Sequence, residues 1–133
     1  MAFVHDGLHH LPDAYRGVRE MLRVCSTAAV IVEPADAPLT RLALKVGLAG
    51  DYEEAGNYVY RLRTDKLRRL FSEENVRGSV MRQDLVYYQP WTFRIYRLFA
   101  RQPMFSLFRL FFYVANVLFG RWGNSLKAVA WKI

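Results

Sequence analysis

The apolar residues of the chain fall into two alternating patterns. Ala2-Phe3-Val4 is a short apolar run ending in a polar, glycine-containing turn, His5-Asp6-Gly7, and it predicts the end of a buried strand. Leu8-His9-His10-Leu11 follows, and Pro12-Asp13 then opens a helix that Asp13 can cap. Tyr15, Val18, Met21 or Leu22, and Cys25 recur at three-to-four spacing, with Arg16, Arg19, Glu20 and Arg23 on the other face. That spacing predicts an amphipathic helix of about three turns, ended by Ser26-Thr27. Ala28-Ala29-Val30-Ile31-Val32 is continuous and β-branched, which predicts a strand buried on both faces. Strand, helix and strand of this kind predict a right-handed βαβ unit in a parallel sheet.

Glu33-Pro34 closes that strand. Pro38 suits the first turn of a short helix through Leu39, Leu42, Ala43 and Val46, broken near Gly47 and Gly50. Residues 51–57 form an acidic loop, and Tyr58-Val59-Tyr60 is a short β-prone piece. Thr64 is expected to cap a basic helix from Asp65 to about Glu74, with Leu67, Leu70 and Phe71 inward. Val80 to Tyr88 reads as a strand. A helical stretch starts at Pro90-Trp91, is broken by Pro103 and continues from Met104 to Phe119. Gly120-Arg121-Trp122-Gly123 is a turn, and Ser125 to Ile133 is a final strand. There is no internal repeat and no low-complexity linker.

Composition narrows the picture. At 133 residues there is room for one domain, 1–133, and 53% hydrophobic residues exclude whole-chain disorder. One cysteine, Cys25, excludes an intrachain disulfide and a cysteine-cluster metal site, and its place on the apolar stripe marks it as inert. The start carries neither a positive n-region nor a long apolar h-region, so the expected compartment is the cytoplasm. Residues 1–60 hold eight acids and five bases, whereas residues 61–133 hold four acids and fourteen bases. Such a basic half suits a nucleic acid, an anionic membrane or an acidic partner. Tyrosines 58, 60, 87 and 88 interleave with this charge, but no nucleic-acid module accompanies them, so nucleic acid is not expected as a partner.

Ligands of open α/β sheets bind beyond the carboxyl ends of the strands. His5, Asp6, His9, His10 and Glu33 all fall there. They form either a catalytic or binding edge, or a set of loop and helix caps. The histidine spacing H-x3-H-H with no cysteine nearby is a weak match to a zinc site, and no metal is expected. None of the eight glycines is spaced G-x-G, which excludes a dinucleotide fingerprint and a P-loop. The apolar stretch 104–119 contains Arg109 and Asn116 and is short for a membrane span. A core helix, or a lid over a greasy pocket, ranks first for it. A membrane-surface helix, helped by Arg94, Arg97 and Arg101, ranks second, and a spanning segment last.

The run Phe3-Val4-His5-Asp6-Gly7-Leu8-His9-His10-Leu11-Pro12-Asp13, followed by Arg19-Glu20-Met21-Leu22-Arg23-Val24, resembles the fourth strand and following helix of class I S-adenosylmethionine-dependent methyltransferases, in particular the small-molecule type 11 group. Val30-Ile31-Val32-Glu33-Pro34 looks like the family's fifth strand, and Ser125 to Ile133 like its antiparallel seventh. The resemblance implies an α/β, Rossmann-like methyltransferase fold of order 3-2-1-4-5-7-6. This chain is expected to supply strands 4, 5, 6 and 7, to lack the half with strands 1–3 and its glycine loop, and to carry a helical apolar insertion at about 90–120. It further implies S-adenosyl-L-methionine as cofactor, bordered by His5, Asp6 and Gly7. His9 and His10 match positions where some members place substrate-contacting or base residues. Glu33, Tyr58, Tyr60 and Trp91, with Tyr87 and Tyr88, are candidate contacts to a small lipophilic acceptor. The chain alone is expected to be inactive, either as the C-terminal part of a longer transferase or as a half-protein with a partner chain at its strand-4 edge. The alternative is an inert interaction or membrane-tethering protein that completes a partner's sheet.

Overall fold

The computed structural model describes residues 1–53, 56–74, 76–86 and 102–132. Strand β1 (Ala2–His5), helix α1 (Ala14–Val24) and strand β2 (Ala28–Pro34) form the expected unit. The two strands pair in parallel, from Ala2 opposite Ala29 to His5 opposite Val32. Asp13 caps α1, its Oδ1 accepting the Arg16 N–H at 3.0 Å. Val18, Leu22 and Cys25 are buried, as their spacing predicts.

Helix α2 (Pro38–Lys45) begins on its proline, and Gly47 follows at φ 72°, a backbone region that favours glycine. Helix α3 (Thr64–Glu73) places Leu67, Leu70 and Phe71 in the core. Strand β3 (Val76–Asp84), helix α4 (Met104–Phe119), a 3₁₀ turn (Gly120–Trp122) and strand β4 (Ser125–Lys132) complete the described elements. The protein is thus α/β, with a four-stranded mixed sheet of order β1-β2-β4-β3. β4 runs antiparallel to both neighbours, so β1, β2 and β3 share one direction and β4 alone opposes them.

The core lies on one face of this sheet. Ala29 and Ile31 of β2 and Leu126, Ala128 and Ala130 of β4 pack with α1 and α3. Each fully buried Leu or Ile there contributes about 1.5–3 kcal/mol. The opposite face carries a row of cross-strand neighbours, Phe3, Val30, Val129 and Val80. Phe3 and Val80 are largely exposed, and Val30 and Val129 are half-buried.

Several expectations need correction. β2 is buried on one face only, because no described helix covers Val30 and Val32. β3 starts at Val76 rather than Val80 and ends at Asp84, and Tyr87 and Tyr88 of the expected strand lie outside the described residues. Arg77-Gly78 hides its start in the sequence, and a register shift between Val76 and Gly78 accommodates it. Thr64 is the first helical residue rather than the cap, and its Oγ1 accepts the Gln83 side-chain amide at 3.0 Å. Tyr58-Val59-Tyr60 makes only an isolated bridge, Tyr58 to Tyr52. Helix α4 has the predicted bounds but no buried residue, so it is not a core helix. The helix expected from Pro90 lies outside the described residues.

Candidate functional site at the carboxyl edge of the sheet

β1 ends where Asp6 turns the chain at φ 50°, with its N–H still donating to Val32 O at 2.9 Å. A left-handed residue at this point throws the chain out of the sheet plane and into a 3₁₀ turn, Leu8–His10. The first N–H groups of such a turn have no partner within it. Glu33, from the carboxyl end of β2, supplies the acceptors. Its Oε1 accepts from Gly7 N at 2.8 Å and Leu8 N at 2.7 Å, and its Oε2 from His9 N at 3.3 Å. Oε2 also lies 2.8 Å from His9 Nδ1. A fully buried carboxylate is tolerable only with such a set of donors. Glu33 therefore fastens the loop after β1 to the end of β2, and its carboxylate is not open to a ligand, as the acceptor-contact expectation required.

His9 is buried and has both ring nitrogens engaged, Nδ1 with Glu33 and Nε2 with Glu53 Oε1 at 3.2 Å. His10 is more open, its side chain 42% exposed, with Nδ1 3.5 Å from Glu53 Oε2. The two rings stand 4.1 Å apart between centroids. Of the two candidate catalytic histidines, His10 is the one a ligand can touch, and His9 links it through Glu53 to the buried Glu33. His5 is exposed at the strand end, its Nδ1 3.3 Å from Asp6 Oδ2. His5, Asp6 and Gly7 thus sit together at the carboxyl end of β1.

Glu53 was not singled out by sequence reading. Its only signal was the acidic loop, and it reaches the site from 44 residues beyond His9. The loop is closed by Glu53 N donating to Asn57 O at 2.9 Å and by Gly56 at φ 82°. Arg61 secures its base through Asp51, at 2.6 Å. The same segment brings in the tyrosines. Tyr60 N donates to His9 O at 3.1 Å, and Tyr52, Tyr58 and Tyr60 stack edge-to-face at 5.5 and 4.8 Å. Tyr58 and Tyr60 therefore form a partly exposed aromatic surface, joined to the His9 backbone through Tyr60. Trp91, Tyr87 and Tyr88 lie outside the described residues.

Two features at the β3 end of the same edge also went unread. A cleft is lined by Thr64, Arg68, Arg82, Gln83, Asn116 and Arg121, three arginines that the basic second half of the sequence announced without locating. Beside it, two asparagines grip the chain after β3 as a strand would. Asn116 accepts Leu85 N at 2.7 Å and donates to Leu85 O at 3.1 Å. Asn124 treats Val86 alike, at 2.8 and 2.7 Å. Burial raises the Asp84 pKa, but hydrogen bonds from Lys127 at 2.6 Å and Arg82 at 2.8 Å outweigh this and hold it below its ordinary value.

Chemically, the edge can hold and pass a proton along Glu33, His9, Glu53 and His10, with an aromatic surface alongside. No protein-family model matches the chain, and no curated protein matches it significantly.

Proposed function

We propose that the chain is the strand-4-to-strand-7 part of a class I S-adenosylmethionine-dependent methyltransferase domain acting on a small, lipophilic acceptor. The observation that carries this reading is the sheet. The family order places strands 4-5-7-6 side by side with strand 7 reversed. The chain folds as β1-β2-β4-β3 with β4 alone reversed. The open sheet face adds support. Sheets with parallel strands are usually covered on both faces, and the row from Phe3 to Val80 is the surface such a cover would bury.

In this reading His5, Asp6 and Gly7 border the methionine end of the cofactor at the carboxyl end of β1. His10, backed by Glu53, accepts the acceptor's proton, and Tyr58 and Tyr60 form part of the acceptor wall. Methyl transfer asks for alignment of nucleophile and sulfonium, plus a base when the acceptor carries a proton. The glycine loop that holds the rest of the cofactor is absent from residues 1–133. It must come from the same polypeptide or from a chain that pairs with the outer edge of β1. The test is the native species isolated from its source: its intact mass, its binding of S-adenosylmethionine and its release of S-adenosylhomocysteine. Binding and turnover, in a chain longer than 15.6 kDa or in a complex, are expected. A native species that neither binds the cofactor nor turns it over overturns the reading.

One observation favours a second reading, a membrane-tethering protein without activity. α4 exposes Leu107, Leu110, Phe111, Tyr113 and Val117 to more than half their extent. The helix and the turn after it, Met104–Trp122, are long and apolar enough to cross a membrane. Arg94, Arg97, Arg101 and Arg121 flank this surface in the sequence, as suits an anionic bilayer. Sedimentation with phosphatidylserine vesicles but not with phosphatidylcholine vesicles supports it, and equal partition into neither excludes it.

A further inference from the structure

Three side chains able to ligate a metal, His9, His10 and Glu53, converge beyond the end of β1. Glu33 Oε2 lies 2.8 Å from His9 Nδ1, and the other ring nitrogen, Nε2, lies 3.2 Å from Glu53 Oε1. His10 Nδ1 stands 3.5 Å from Glu53 Oε2, too far for a good hydrogen bond. A metal ion placed among these three groups would accept a lone pair from each.

The distances fit a small ion. Zinc bonds of 2.0–2.1 Å in tetrahedral geometry set neighbouring ligand atoms about 3.3 Å apart, and the 3.2 Å between His9 Nε2 and Glu53 Oε1 matches that value. One ligand atom from each of His9, His10 and Glu53 lies within 4.8 Å of the others. We propose that His9 Nε2, His10 Nδ1 and the Glu53 carboxylate form a binding site for Zn²⁺ or a chemically similar divalent cation. Two imidazoles and one carboxylate favour zinc over magnesium or calcium, which prefer oxygen-only sets. Glu33 is the positioning residue. It holds the His9 tautomer and ring orientation, as carboxylates behind metal-bound histidines do, and three backbone N–H groups hold it in turn. Three protein ligands leave a fourth position open. It lies on the side where His10 and Glu53 are exposed, so a water or an oxygen donor of a bound molecule can take it. The site stands on its own geometry and does not depend on the methyltransferase reading.

The test uses the purified, metal-free chain titrated with Co²⁺, followed by visible absorption and by displacement with Zn²⁺. The intense bands of four-coordinate Co²⁺ are expected at one equivalent and should vanish on adding Zn²⁺. Glu53→Gln and His10→Ala should each weaken binding by about tenfold or more. Both side chains are partly exposed, and circular dichroism checks that the variants fold. His5→Ala should leave binding unchanged, because that ring pairs with Asp6 outside the cluster. Only the weak spectrum of six-coordinate Co²⁺, or affinity unaltered in both Glu53→Gln and His10→Ala, overturns the proposal. So does a nitrogen NMR spectrum showing both His9 nitrogens still protonated after Zn²⁺ is added.

Discussion

The loop after β1 and the helix α4 break the usual rule of burial in opposite ways. The first places a carboxylate, Glu33, at full burial. The second places a sixteen-residue apolar helix on the surface with no buried residue. At the loop every inward polar atom of Glu33 meets a donor, so the charge is stable where it is and fixes the backbone around it. At α4 no described residue is buried. Asn116 pins the helix to Leu85, Phe108 and Phe112 pack at 4.8 Å, and most of its outer face meets water. Buried polarity here is a device that shapes a site. Exposed apolarity is a surface that a bilayer, a partner or a substrate would cover.

The comparison can be broken at either end. The largest effect is expected from Glu33→Ala, which leaves His9 and three backbone N–H groups without their acceptor. A loss on the order of 3–5 kcal/mol in a denaturant titration is expected. A loss below about 1 kcal/mol would mean that water replaces the carboxylate and that the loop does not need it.

A smaller, pH-dependent effect is expected where α4's neighbour β3 meets β4. Asp84 has its pKa lowered on balance, so its contribution is fully present above the unfolded value of about 3.9 and is lost as pH falls through the lower folded value. Lys127→Met removes one of the two cations that hold it down. The variant should then be less stable at neutral pH, and its acid-induced drop in melting temperature should be smaller than in the parent chain. Identical acid limbs would show that Arg82 alone suffices.

The smallest effect on stability is expected on the outer face of α4. Phe111→Glu should change stability by no more than about 0.5 kcal/mol, because the ring is two-thirds exposed. A loss of several kcal/mol would mean that α4 is covered in solution, and the contrast with the Glu33 loop would fall.

Much of the fold was legible along the chain because it depends on local periodicity. The three-to-four spacing from Tyr15 to Cys25 gave α1, Asp13 gave its cap, and Pro103 and Gly120 bounded α4. β3 was less legible, since its first half carries Arg77, Gly78 and Ser79 and is held by pairing with β4 rather than by its own propensity. The site was half legible. His5, Asp6, His9, His10 and Glu33 were placed at strand ends by the patterning alone. Glu53 was not, because a loop closed by Arg61 and Gly56 carries it there.

By itself, then, the sequence determined the succession of strands and helices, the turn at the carboxyl end of β1 and the split into acidic and basic halves. These follow from which side chains can share a face and which residues can bend a backbone. Tertiary structure alone decided that Glu33 clamps the loop instead of facing a ligand, that His9 and His10 meet a carboxylate 44 and 43 positions away, and that α4 has no buried residue. Each of these depends on distances between residues remote in sequence, and neither propensity nor periodicity carries information about such distances.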